Sequence, residues 1–283
     1  MPDTPTIALS TPAGPVPIPQ IGFGVWQVPE DEVASAVASA LQAGYRHVDT
    51  AAAYRNEVGV GRALAESNVP RDDIFVTTKV WNDAHGREAT LAAFDDSVAN
   101  LGVDVLDLYL IHWPAPAQDR YVETWRTLLE LRDAGRVRAV GVCNFGIDHL
   151  QRLADETGEL PPINQIELHP YFQQRELVAF HRQHRIVTQA WSPLASGKRV
   201  LDDPVLAGIA QRHRATPAQV VIAWHLAQGF VVLPKSVTPS RIVENLAARE
   251  IRLSANDLVT IAELDQGFRT GPDPHAFWAA VYG

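Results

Sequence analysis

Between about residue 20 and residue 250, short apolar runs alternate with longer amphipathic stretches, and the cycle repeats eight times. The apolar runs are Ile21–Gly24, Arg46–Asp49, Ile74–Lys79, Val105–His112, Val137–Val142, Ile163–Glu167, Ile186–Ala190 and Phe230–Leu233. Most are continuously apolar, as strands of a parallel sheet buried on both faces must be. Helical spacing fills the gaps, at Glu32–Ala43, Glu57–Glu66, Glu88–Leu101, Tyr121–Ala134, Ile147–Glu156, Gln174–His184 and Ala218–Gln228. Pro217 suits the first turn of the last of these.

A strand followed by a helix, eight times over, is the pattern of a (β/α)8 TIM barrel. The competing arrangement is an open doubly wound sheet with a glycine-rich phosphate loop after its first strand. The stretch here, GFGVWQVPED, has no G-x-G-x-x-G leading into a helix. A length of 283 residues fits one barrel domain spanning 1–283. Residues 5–19 read as a hairpin ahead of the barrel, and the barrel floor is one place it could sit. After residue 250, RLSANDLVTIAEL predicts one further helix with Ser254 as its cap. The tail QGFRTGPDPHAFWAAVYG is irregular and rich in Gly, Pro and aromatics, and is expected to supply part of the substrate pocket.

A formal charge of −9 provides no broad cationic face, which argues against nucleic acid as a partner while leaving room for a local anion pocket. The single cysteine, Cys143, excludes an intrachain disulfide. No stretch has the apolar length of a membrane span, and the N-terminus lacks a secretory signal, so a cytoplasmic protein is expected.

The reactive residues are informative through their positions. Asp49 closes the second predicted strand, Lys79 the third and His112 the fourth, while Tyr54 follows the second strand in the loop AAAYRNE. All strand ends of a parallel barrel open on one rim, where barrel enzymes build their sites. Each residue alone has an ordinary reading as a cap, a surface charge or core packing; their convergence on one rim does not. Lys79 at the end of an apolar strand needs a counter-charge, which Asp49 can supply. A phenol with an ordinary pKa of ~10 is a poor acid at neutral pH, and a neighbouring ammonium improves it. Tyr54 is therefore the expected proton donor, with His112 orienting a carbonyl oxygen. Such a site has no hydride of its own and needs a reduced cofactor.

A cofactor end is legible further along. In VVLPKSVTPSRIVEN, Lys235, Ser236 and Arg241 cluster where a helix begins near Pro239–Ser240, in the usual phosphate position of this fold. Two cations and a hydroxyl suit the 2′-phosphate of NADPH. Trp191 offers a face for stacking on nicotinamide, and Asn144 and Gln165 could hold a carboxamide. Phe23, Trp26, Trp81 and Trp113 are expected to wall the substrate pocket. The pair His181 and His184 shares a helix face without further ligands, and is expected to be solvated rather than metal-binding.

The motifs GFGVWQ, AGYRHVDTAAAYRNEVGVGRAL, TTKVWN, LDLYLIHWP, GVCNF, INQIELHP, WSPLASGK and LPKSVTPSRIVEN together resemble the aldo-keto reductase family, in particular prokaryotic 2,5-diketo-gluconate reductases. The resemblance implies a catalytic tetrad of Asp49, Tyr54, Lys79 and His112. It implies Thr50, Asn144, Gln165 and Trp191 near nicotinamide, and Ser192, Leu194, Ser196 and Gly197 by the pyrophosphate. Lys235, Ser236, Val237, Arg241, Glu244 and Asn245 would hold the 2′-phosphate end. The implied activity is metal-free reduction of aldehydes, ketones and dicarbonyls by NADPH, in a monomer without an obligate protein partner. A regulatory subunit that binds cofactor and turns over slowly, like the potassium-channel β subunits, is the alternative. It would carry insertions for docking that this chain lacks.

Overall fold

The computed structural model describes residues 5–197 and 199–277. An antiparallel hairpin comes first, β1 (Thr6–Thr11) and β2 (Gly14–Pro19), turning through Pro12 and Ala13. Eight parallel strands follow: β3 (Phe23–Gly24), β4 (His47–Asp49), β5 (Phe75–Val80), β6 (Leu106–Ile111), β7 (Val137–Cys143), β8 (Ile163–Glu167), β9 (Val187–Trp191) and β10 (Val231–Val232). Each pairs with its sequence neighbour, and a parallel bridge from Ile21 to Val232 closes the ring. The result is the (β/α)8 barrel expected from the alternation, with the hairpin added.

The outer layer comprises α1 (Glu30–Ala43), α2 (Glu57–Ala65), α3 (Arg87–Leu101), α4 (Tyr121–Asp133), α5 (Ile147–Thr157), α6 (Arg175–His184), α7 (Pro204–His213), α8 (Pro217–Ala227), α9 (Pro239–Ala247) and α10 (Ala255–Ala262). Local chemistry explains where they start. Thr216 caps α8 through the Gln219 amide N–H, and Pro217 occupies its first turn. Ser254 caps α10 through the Asp257 N–H. In α1, Val33, Ala36, Val37, Ala40 and Leu41 recur at helical spacing and form the buried stripe. Helix α7, capped by Asp203, had no counterpart in the periodicity reading.

Two apolar layers result. One lies between strands and helices. The other lies inside the ring, where Leu9, Val16 and Ile18 of the hairpin pack with Phe75, Leu108, Ala139, Ile163 and Val231 of the strands. Most of these strand residues stand at the N-terminal ends, so the hairpin plugs the barrel floor. The opposite, C-terminal ends remain available for a site. Among the described residues, no helix is long and apolar enough to cross a membrane.

The expectation of a solvated His181 is overturned. It is fully buried, its ring nitrogens 3.1 Å from Asn164 Nδ2 and 2.9 Å from Thr188 Oγ1. The arginine face of α6 turns outward and the histidine faces the strands. Burial lowers its pKa to about 3, which keeps the ring neutral in this hydrogen-bonded role.

Candidate active site

The ladder register delivers the four reactive residues to one rim. Asp49 ends β4, Lys79 sits one residue before the end of β5, and His112 directly follows β6. Tyr54 lies on a short 3-10 turn, Ala52–Tyr54, just beyond β4. Lys79 Nζ lies 2.6 Å from Asp49 Oδ1, 2.8 Å from the Thr50 carbonyl and 3.4 Å from the Tyr54 hydroxyl. Its side chain is 0% exposed, so the ammonium has exchanged water for these oxygens. The Tyr54 and His112 rings meet edge-to-face at 5.5 Å. Burial first, and the Lys79 ammonium second, hold the His112 pKa well below its ordinary value, so the imidazole is neutral.

Asp49 is itself held in place. Its Oδ2 accepts from Gln165 Nε2 at 2.8 Å, and Gln165 in turn contacts Gln189 Oε1 at 3.0 Å. Thr50 supports Lys79 with its carbonyl, while its hydroxyl donates to Asn56 Oδ1 at 2.8 Å; it does not line the cavity. Asn144, in the left-handed region at φ 64, donates to the His112 carbonyl at 3.0 Å. Its Oδ1 accepts from Trp191 Nε1 at 2.8 Å.

A cavity of about 760 Å³ begins at Asp49, Tyr54 and His112. It runs past Asn144, Gln165 and Trp191, then along Ser192, Leu194, Ser196 and Gly197, and ends at Lys235, Ser236, Arg241, Glu244 and Asn245. Ser192, Ala195, Ser196 and Arg199 all have positive φ without being glycine, an unusual concentration that turns this loop tightly beside the cavity. Among the described residues, neither Lys235 nor Arg241 has an acidic partner within ion-pair distance, although Arg241 lies in the first turn of α9. Two uncompensated cations beside a helix start suit a phosphate monoester. The donor set therefore fits a long anionic dinucleotide with a carboxamide at one end and a phosphate at the other. Val237 does not join it, being exposed and off the cavity wall.

The substrate wall differs in part from expectation. Trp26 and Trp113 line the cavity; Trp81 stands behind His112 with ring centroids 4.9 Å apart. Phe23 is a correction: it is 1% exposed and packs edge-on against Tyr45, away from the cavity. The register explains this, because Gly24, not Phe23, pairs with Asp49 and lines the wall. Sequence reasoning missed Thr270, Gly271 and Pro272, which the irregular tail brings to the mouth, and Phe277, whose ring lies 4.4 Å from that of Trp113. A contribution of the tail to the pocket agrees with expectation; the individual residues it brings carry no signal in the sequence. The tail residues 278–283 lie outside the described residues.

A closed parallel barrel with a lysine–carboxylate pair beneath a tyrosine, and a cleft leading from it to bare cations, defines an oxidoreductase that works with a nucleotide. The Aldo/keto reductase family model matches residues 20–266, and the chain belongs to that family. It is 56% identical over 260 residues to an aldo-keto reductase of Mycolicibacterium smegmatis, a match covering 92% of this chain and 94% of the relative. Methylglyoxal reductase DkgA of Escherichia coli strain K12 is 55% identical over 263 residues, with the same two coverages of 92% and 94%. Among solved structures, a mutant of Gox0644 in complex with NADPH superposes with a TM-score of 0.91 at 48% identity, covering 97% of this chain and 100% of that one.

Proposed function

We propose that the protein reduces small dicarbonyls of the methylglyoxal type to hydroxy-carbonyls, using NADPH, with Tyr54 as the proton donor. The observation that carries this reading is the contact between Lys79 Nζ and both the Tyr54 hydroxyl and the Asp49 carboxylate, at the head of a cavity that ends in unpaired cations. Bound NADPH supplies a hydride to the carbonyl carbon. The Tyr54 hydroxyl gives its proton to the carbonyl oxygen, and the Lys79 ammonium stabilises the negative charge left on the phenol oxygen. Asp49, 2.6 Å from the Lys79 ammonium, holds it aimed at the phenol oxygen. Neutral His112 has an N–H for the same carbonyl oxygen and does not compete as a cation.

Asn144 and Gln165 would receive the carboxamide, and Trp191 would form the stacking face. The loop Ser192–Gly197 would run beside the pyrophosphate, and Lys235, Ser236 and Arg241 would hold the 2′-phosphate. The substrate end supports small uncharged carbonyls. Its described wall is Trp26, Gln27, Trp113, Thr270 and Pro272, and the cavity's two cations lie at the far end. The relative named methylglyoxal reductase supports the same class. We further propose that the enzyme acts in the cytoplasm and without a protein partner.

The test follows NADPH absorbance with methylglyoxal, phenylglyoxal and 2,5-diketo-gluconate. Methylglyoxal and phenylglyoxal should be consumed well ahead of the anionic sugar acid. Tyr54→Phe should lower turnover by about 10²–10⁴-fold, the usual worth of a positioned acid, with NADPH affinity retained. Tight NADPH binding without oxidation by any carbonyl would turn the reading toward a regulatory subunit.

A further inference from the structure

At the end of β8 stands a buried carboxylate that the chemistry above does not use. The Glu167 side chain is 0% exposed. It accepts from the backbone N–H of Thr270 at 2.6 Å and of Gly271 at 3.0 Å, and from the Thr270 hydroxyl. His169 Nε2 lies 3.1 Å away and Arg269 Nη1 4.0 Å away. Burial raises the pKa of such a group, yet the donors from His169, Thr270 and Gly271 together bring Glu167 below its ordinary value. Most of these donors belong to the segment after α10. Glu167 therefore fastens the chain's last described stretch to the barrel rim.

Gly271 shows what that fastening brings together. A Cβ at this position would lie 2.5 Å from Trp191 Cη2 and 3.4 Å from Cζ2. Its φ is not in the left-handed region, so space, not backbone conformation, requires glycine here. At the other end of the same indole, Nε1 donates to Asn144 Oδ1 at 2.8 Å. Glu167 and Trp191 are also direct partners in the β8–β9 ladder. The ring is thus held at its pyrrole end by Asn144 and at its benzo edge by the Gly271 backbone.

We propose that Glu167 is a positioning residue that clamps Thr270–Gly271 against the outer edge of Trp191, fixing the indole as a rigid platform for nicotinamide. The proposal rests on the reading of Trp191 as that platform. A half-exposed indole free to change rotamer would lose that freedom on each binding event; a braced one has already lost it. The tail and the cofactor site become one unit, although they are remote in sequence.

The test compares two ligands, NADPH and adenosine 2′,5′-bisphosphate, which carries the adenosine phosphates without nicotinamide. Gly271→Ala should raise the NADPH Kd about tenfold and leave that of the bisphosphate within about twofold. Glu167→Gln should act in the same direction, since its amide N–H2 opposes the N–H donors of Thr270 and Gly271. In a Trp191→Phe background, which lacks Cη2 and Cζ2, Gly271→Ala should cost less than about twofold. Equal weakening of both ligands, an undiminished penalty in the Trp191→Phe background, or no change at all would overturn the clamp. Should Gly271→Ala fail to fold, Glu167→Gln carries the same two-ligand comparison. A wild-type protein that binds the bisphosphate but not NADPH would instead sink the platform reading itself.

Discussion

In the proposed mechanism Lys79 serves chemistry as well as folding, and the two roles can be separated. Its ammonium is wholly buried and offsets the Asp49 charge, so Lys79→Met strands a carboxylate in the barrel mouth. We expect a loss of about 3–5 kcal/mol in urea unfolding, as for other broken buried pairs, along with loss of turnover. Adding Asp49→Leu removes the stranded charge, and should restore most of the stability and none of the activity. A double variant as unstable as the single one would show that the pair's contribution lies elsewhere. Asp49, Lys79 and His112 were legible in the sequence because a strand's C-terminal end is a sequence observable, and in a parallel barrel that end fixes the rim. Glu167 obeys the same rule at the end of β8 and was passed over, since its partners arrive from Thr270 and Gly271 by a path no periodicity describes. Phe23 failed for a different reason. In a strand of two residues, only the register with β4 decides which one faces inward.

At the level of elements, the N-terminal turn of α9 carries the expected discrimination between cofactors. Lys235 and Arg241 are exposed cations at its entrance, and the Ser236 hydroxyl accepts from the Thr238 N–H at 3.1 Å, shaping the approach. Replacing both with Gln should weaken NADPH by about 10²-fold and NADH by less than about threefold, a difference set by charge-assisted bonds to one phosphate. Raising the salt should erode NADPH affinity in the wild type more than in the double variant. Isothermal titration of both nucleotides decides this, and equal losses would refute the 2′-phosphate assignment. The strands, even the two-residue β3 and β10, were legible as apolar runs bounded by turns. Helix α7 was not, because it follows a loop with four non-glycine residues at positive φ, a conformation that composition does not announce.

Across the whole molecule, acid sensitivity is built in by buried imidazoles. Burial lowers His47, His85 and His225 from 6.5 to about 4 and His181 to about 3, and His112 is also well below its ordinary value. Their folded pKa values lie under the unfolded value of 6.5, so the unfolded chain holds extra protons between about pH 6.5 and 4. Stability is therefore retained above pH 6.5 and lost as the pH falls through that window, by up to about 1.4 kcal/mol per pH unit for each ring. The melting temperature should drop by more than about 5 °C between pH 7 and 5. A flat profile in calorimetry would mean that these rings are protonated in the folded state.

The hairpin that plugs the floor has a practical corollary. Its turn at Pro12-Ala13 is exposed and belongs to the element that fills the floor, so the barrel interior lies between it and the mouth. A linker to an electrode or a bead, spliced in at that turn, would orient every tethered copy with its mouth toward the solution. Immobilised in this way, the protein should keep the turnover it has when free, whereas attachment through the Thr270–Pro272 segment should abolish it.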